Sequence, residues 1–106
     1  MIKETKLMQN IRETVSKQYD ISLWRNNTGV DTEKGVRYGL GQGGADLVGV
    51  LGPNGRFIAL EVKTYNWRVS HAQACWLESV RKRGGIAAVV RSVEEACKVV
   101  SDALAG

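Results

Sequence analysis

Three residues in this chain have side chains that can do chemistry together: Asp46, Glu61 and Lys63. Asp46 sits in an apolar run from Ala45 to Leu51. Glu61 and Lys63 close a second run from Arg56 to Lys63, and the turn Gly52-Pro53-Asn54-Gly55 joins the two. Two apolar runs joined by such a turn have the pattern of a β-hairpin. In the second run Ile58, Leu60 and Val62 alternate with Phe57, Ala59, Glu61 and Lys63. Strand side chains alternate between faces, so Glu61 and Lys63 project from the same side. An antiparallel partner carrying Asp46 can bring a second carboxylate beside them. One or two carboxylates, with water completing an octahedron, are the oxygen donors Mg²⁺ prefers. A lysine beside such a site can orient or deprotonate an attacking water, or stabilise negative charge developing on a phosphate. The chemistry this set suits is phosphodiester hydrolysis dependent on Mg²⁺ or Mn²⁺. The bland alternative is an exposed Glu61–Lys63 ion pair of little worth, with Asp46 closing a turn. Leu47, Val48, Val50, Ile58, Leu60 and Val62 argue against it, because they make both strands central, where a charge is costly unless paired or metal-bound.

The remaining elements must position this set. Residues 3–18 have helical periodicity, with Leu7, Ile11 and Val15 spaced by four and Met8 beside them. Glu4 begins the same inward stripe, either as a first-turn acid favoured by the helix dipole or as a carboxylate reaching the site. Ile21 to Arg25 is a short strand candidate, ended by the turn-type cluster Asn26-Asn27-Thr28-Gly29. Val30 to Gln42 lacks apolar periodicity and is expected to be a loop, able to hold Arg25, Lys34 and Arg37 against a phosphate backbone or simply to be solvated. The glycines from Gly39 to Gly44 match G-x-G-x-x-G in form, but a strand follows them where a dinucleotide site needs a helix. They are expected to bend the backbone into the Asp46 strand and to leave room for a large partner. Ser70-His71-Ala72-Gln73 has capping-box form and opens a helix with an apolar face of Trp76, Leu77 and Val80, stopped by Gly84-Gly85. Ile86 to Val90 is an apolar strand expected to be buried on both faces. Ser92-Val93-Glu94-Glu95 is a second box, opening a helix with Ala96, Val99, Val100, Ala103 and Leu104 inward. Strand, helix and strand at the end imply a right-handed crossover. The expected class is α/β, a mixed central sheet flanked by helices.

Length and composition set the limits. A chain of 106 residues, 43% hydrophobic and 25% charged, is expected to be a single domain over residues 1–106 with a real core, not a disordered segment. No apolar stretch approaches the length a membrane helix needs, and residues 1–18 carry charge throughout with no apolar signal region, so an intracellular protein without membrane contact is the expectation. Cys75 and Cys97 are two isolated thiols and His71 is the only histidine, which excludes a disulfide framework or a zinc site and leaves reduced, partly buried thiols. The net charge is +4, and residues 56–91 hold seven Lys and Arg against two acids, a balance compatible with a polyanion.

Gly44-Ala45-Asp46, fourteen residues, then Glu61-Val62-Lys63 resembles the signature of the PD-(D/E)XK nuclease superfamily, whose α-β-β-β-α-β restriction-endonuclease-like core matches the element order above. Three further stretches narrow the resemblance to its virus-type replication-repair nuclease (VRR-NUC) domain. They are the Asn26–Gly29 turn before a basic loop, Gln73-Ala74-Cys75-Trp76-Leu77, and Gly84-Gly85-Ile86-Ala87-Ala88-Val89-Val90-Arg91-Ser92. The resemblance implies Asp46 and Glu61 as metal-binding acids, Val62 as donor of a metal-facing carbonyl, Lys63 as catalytic lysine, Glu4 as the first-helix acid and Gln73 as the active-site glutamine. Ala45 departs from the pattern, standing where the superfamily name places proline. Gln73 has both a capping and a site reading, and its inward side of the helix favours the site.

These readings converge on a Mg²⁺- or Mn²⁺-dependent DNA endonuclease. Arg25, Lys34, Arg37, Arg68 and the Arg81-Lys82-Arg83 run are candidates for backbone contacts to DNA, although that run equally suits an ordinary helix C-terminus. Stand-alone members of the family resemble homodimeric junction-resolving enzymes. The resemblance therefore implies a homodimer acting on branched DNA such as Holliday junctions, in a phage or prophage replication setting. A sequence-specific restriction-type nuclease and a non-catalytic nucleic-acid-binding module are the alternatives.

Overall fold

The computed structural model describes residues 3–106. The elements run α1 (Glu4–Gln18), β1 (Ile21–Arg25), β2 (Gly29–Asp31), β3 (Val36–Tyr38), β4 (Leu47–Leu51), β5 (Arg56–Val62), α2 (His71–Lys82), β6 (Ile86–Val90) and α3 (Val93–Ala105). The expected hairpin is β4–β5, antiparallel with Leu47 opposite Leu60 and Leu51 opposite Arg56. It forms the middle of a four-stranded sheet in the order β1-β4-β5-β6. β1 joins β4 antiparallel, and β6 joins β5 parallel after the crossover through α2. The class is α/β with a mixed central sheet between helices, as the residue patterns imply.

Both faces of the sheet are covered, and the alternation along β5 decides what goes where. Ile58, Leu60 and Val62 point to one face, where they meet Leu7, Met8, Ile11 and Val15 of α1 and Ala96 and Val100 of α3. Ala59 points to the other, packing with Val48, Ala87 and Leu77 of α2. Glu61 shares the parity of Ala59, so the chemistry lies on the α2 face while the larger core lies behind it. α2 begins as expected: the Ser70 hydroxyl accepts from the Gln73 amide (3.1 Å) and the Gln73 side-chain oxygen accepts from the Ser70 amide (2.8 Å).

Several expectations need correction. Val30 to Gln42 is not all loop: β2 and β3 pair as a separate two-stranded hairpin, Gly29 opposite Tyr38 and Asp31 opposite Val36. Its strands are three residues long and mostly solvated, so no buried face wrote an alternation into the sequence. β6 is an edge strand with Ile86, Ala88 and Val89 only partly covered, not a strand buried on both faces. Leu104 is exposed near the end of α3, and Cys75 is exposed on α2. The second capping box closes on one side only. Ser92 accepts from the Glu95 amide, but the Glu95 carboxylate accepts from the Arg91 amide instead of that of Ser92.

Gly49 is the tightest point of the sheet. It is buried opposite Leu23, and a Cβ there would run into the carbonyl oxygen of Ser22 in β1. Because the obstacle is backbone, relief requires moving a strand. Gly49→Ala is expected to cost about 1–3 kcal/mol, the usual range for forced overpacking. Urea unfolding checks this, and an unchanged midpoint would show that β1 is free to shift.

Candidate active site

The site forms where β4 and β5 part. Their pairing ends at Leu47–Leu60, whereas β5 stays paired with β6 as far as Val62–Val90. Asp46, one residue before β4, therefore lies opposite Glu61 beyond the last paired residues. Instead of a ladder bond, the Val62 amide donates to Asp46 Oδ2 at 2.9 Å. The Asp46 carbonyl accepts from the Asn26 amide at 2.8 Å, which fixes the approach from the other side.

Glu61 is 1% exposed. Its Oε1 accepts from Gln73 Nε2 at 3.1 Å and lies 3.9 Å from Lys63 Nζ. Its Oε2 is buried and has no hydrogen-bond donor. Burial in a poorly solvating setting pushes the Glu61 carboxyl from 4.5 up to about 8. The Asp46 charge adds to that rise, as does a hydrogen bond shared with Asp46 in the neutral form. Lys63 opposes the rise and Glu4 adds a smaller push. A negative charge held this deep, facing a second acid, with one oxygen lacking a donor, calls for a proton or a cation in the gap.

A divalent cation fits the donors. Among the described residues no group of three or more His, Cys, Asp or Glu side chains is arranged to hold a metal; the two carboxylates that face each other are those of Asp46 and Glu61. Two carboxylates with water completing the shell would suit a divalent cation that prefers oxygen donors. Glu4 stands in the first turn of α1, half-buried. It makes no hydrogen bond to the site, yet is near enough for its charge to be felt at Glu61. Gln73 does not choose between its two readings. Its oxygen caps α2 through Ser70 and its nitrogen holds Glu61, so one side chain ties the helix start to the buried acid.

Other residues hold the surroundings in roles the sequence did not assign, since it marked Asn26 only as part of a turn and Trp76 only as part of an apolar helix face. Asn26 donates from its amide nitrogen to the Ala45 carbonyl and accepts at its oxygen from the Leu40 amide. Trp76 Nε1 donates to the Leu40 carbonyl at 2.8 Å. Together they clamp the glycine-rich stretch against β1 and α2. Gly43, at φ +80, packs so closely that a Cβ would meet the Ala72 backbone. The glycines there allow close packing of the chain on itself; at Gly43 they do not leave room for a partner. An Asn in a turn is so common that only its paired donor and acceptor, seen in the fold, mark this one.

The candidate DNA contacts separate into two groups. Arg25, Lys34, Arg37 and Arg68 are exposed and, among the described residues, form no side-chain hydrogen bond or ion pair. Arg25, paired with Leu47, stands next to the Asp46 turn and lines a hollow of about 280 Å³ with Thr5, Gln9 and Arg12. Lys34 and Arg37 ride on the β2–β3 hairpin, and Arg68 precedes α2. Arg81 belongs to the second group: its Nε donates to the Ala87 carbonyl at 2.9 Å and its Nη1 lies 3.5 Å from Glu78. It ties α2 to β6, and Arg83 is bonded to Ser79, so both are partly committed to the protein while the first group is not. The sequence, which showed only a basic run, could not reveal that two of its members turn back onto the protein.

A mixed sheet between helices, carrying an acid before its second strand and E-x-K at the end of the third, defines a nuclease fold of the PD-(D/E)XK type. Within that type the chain belongs to the VRR-NUC family: the VRR-NUC domain matches residues 2–94. A solved structure described as a "VRR_NUC domain protein" superposes with a TM-score of 0.67 at 18% identity, covering 96% of this chain and 88% of that one. Comparison with curated proteins gave no match. The family is a nuclease family that generally uses divalent metals. No described helix is long and apolar enough to cross a membrane.

The proton and the cation compete for one place, which gives a pH prediction. With a folded value of about 8 against 4.5, the metal-free folded protein keeps a proton on Glu61 that the unfolded chain has lost between those pH values. Stability therefore falls as pH rises through that window. Glu61→Gln keeps the shape and the acceptor for Gln73 while removing the charge. It is expected to melt higher than wild type in EDTA near pH 9, and to differ little near pH 5. Melting curves at both pH values check this, and a variant less stable than wild type near pH 9 would overturn it.

Proposed function

We propose that this protein is a divalent-metal-dependent DNA endonuclease. The observation that carries the reading is the buried Glu61 oxygen without a donor, facing Asp46 with Lys63 beside it. In this reading Asp46 and Glu61 hold Mg²⁺ or Mn²⁺, with the Val62 carbonyl as a third donor. Bound there, such an ion would supply Lewis acidity toward the scissile phosphate and lower the pKa of water. Lys63, only partly exposed, orients the attacking water or offsets charge on the phosphate oxygens. Gln73 fixes Glu61 in one rotamer, which holds the carboxylates in a single arrangement. Glu4 acts through charge, adding negative potential at the mouth of the site and favouring a cation there. Arg25, Lys34, Arg37 and Arg68 contact phosphates and position DNA without reading bases.

The substrate we propose is branched DNA such as a Holliday junction, cut by a homodimer whose two sites act on paired strands. The support is the family resemblance carried by the sequence motifs, which implies a homodimer of the junction-resolving kind. A symmetric dimer supplies the second site such a substrate requires.

The test is incubation of purified protein with four-way junctions and matched linear duplexes, in Mg²⁺, Mn²⁺ or EDTA. Cleavage is expected with either metal, to be lost in EDTA, and to favour junctions. Lys63→Ala is expected to lower the rate by about 10²–10⁴-fold, the range for a positioned proton-transfer group. Asp46→Ala is expected to abolish both cleavage and Mn²⁺ binding in calorimetry. Undiminished cutting by either variant would remove the site assignment, and equal cutting of junction and duplex would remove the structural preference.

A further inference from the structure

β5 ends at Val62, Lys63 leads directly into the loop before α2, and that loop displays its aromatic residues outward. Trp67 is 68% exposed and Tyr65 52%. No large apolar side chain among the described residues is more exposed than Trp67. Thr64, by contrast, is buried, so the loop is anchored at its base. The Lys63 amide donates to the Val90 carbonyl at 3.1 Å, the Trp67 amide to the Thr64 carbonyl at 3.3 Å, and Arg91 Nη1 to the Tyr65 carbonyl at 2.7 Å. These bonds make Thr64–Trp67 a tight turn held against the end of β6. Tyr65, at its second position, has φ +52, a left-handed conformation that costs a non-glycine residue about 1–3 kcal/mol.

Two aromatic rings held outward on a fixed turn do nothing for the core of this chain. Their location suggests an occupant. A tight turn keeps its end residues within about 7 Å, so Trp67 lies no more than roughly 11 Å from Lys63 between Cα atoms. Arg68, the next residue, is exposed and forms no bond among the described residues. An aromatic surface flanked by cations, beside a phosphodiester site, matches the chemistry of an unpaired nucleobase: the ring stacks and the cation takes the phosphate. In duplex the base faces are already stacked on each other, so such a surface engages only bases freed from pairing.

We propose that Trp67, with Tyr65 as a second platform, stacks an unpaired base next to the scissile phosphate. The turn then favours a strand whose bases are unpaired next to the scissile phosphate over a fully paired one. This rests on the nuclease reading above but can be tested without cleavage.

The experiment is fluorescence anisotropy of the full chain in EDTA, with labelled oligonucleotides in three forms. They are a blunt duplex, the same duplex with a single-stranded overhang, and that overhang carrying abasic sites. Trp67→Ala is expected to weaken binding of the overhang substrate roughly 5- to 100-fold, the range stacking of one base supplies, and to leave the blunt duplex nearly unchanged. Trp67→Phe is expected to retain most of the affinity, and wild type is expected to bind the abasic overhang as weakly as Trp67→Ala binds the normal one. Equal loss on all three forms, or no loss on the overhang, overturns the proposal, as does capture of the turn by a protein surface with no effect on DNA. The nuclease reading fails separately, through absent cleavage in metal, and that failure would leave the binding result standing.

Discussion

A carboxylate buried opposite another carboxylate is the constraint on which the rest of this structure depends. Glu61 occupies a position along β5 that an apolar residue would fill at lower cost, with one oxygen lacking any donor. Three features keep the arrangement in place. The Gln73 amide holds the other oxygen, the Val62 amide holds Asp46, and the core of Ile58, Leu60 and Val62 fixes the strand from behind. The first belongs to α2 and the other two to β5, so Glu61 is held both from the helix and from its own strand. A carboxylate pair free to turn toward solvent would relieve itself; this one cannot. The remaining ways to neutralise it are a proton, which burial and the Asp46 charge favour by pushing the Glu61 carboxyl up to about 8, or a cation.

Val62 shows how closely folding and chemistry are joined here. Its side chain is in the deepest part of the core, its amide is bonded to Asp46, and its neighbours on either side are Glu61 and Lys63. The period of two places both chemical residues on one face and the anchoring residue on the other. A one-residue slip in the β4–β5 register would send Glu61 into the apolar layer between the sheet and α1, so the hydrophobic pattern that sets the register also sets the site.

Much of this was legible in the sequence because it rests on periodicity and on turn chemistry. The β4–β5 hairpin, the inward stripe of α1, the Ser70 cap and the common face of Glu61 and Lys63 all follow from local rules, and the structure agrees with each. Contacts distant in sequence were not legible. That Gln73 caps and also reaches Glu61 requires α2 to cross the sheet at one height, which no local pattern encodes. That Arg81 is occupied by Ala87 depends on where β6 comes to rest. The β2–β3 hairpin escaped because short strands solvated on both sides carry no alternation. The Gly39–Gly44 stretch reads as a bend with room for a partner, yet at Gly43 the close approach is to the α2 backbone, which no local pattern encodes.

The site lies where it does because β5 outlasts β4. As long as two strands are paired, their amides and carbonyls are committed to each other and opposing side chains are held at a fixed spacing. Past Leu47–Leu60 that commitment ends, while β6 continues to hold β5 as far as Val62. Glu61 and Val62 are thus rigid on one side and open on the other. Rigidity keeps the acid from relaxing toward water, and the open side lets Asp46 approach from a turn instead of a ladder. Past Val62 the same strand reaches Lys63 and then the Thr64–Trp67 turn, which the Arg91 side chain binds to the end of β6. One strand end, supported along a single edge, therefore presents a buried acid, a lysine and an exposed aromatic turn in sequence order, all on one fixed backbone.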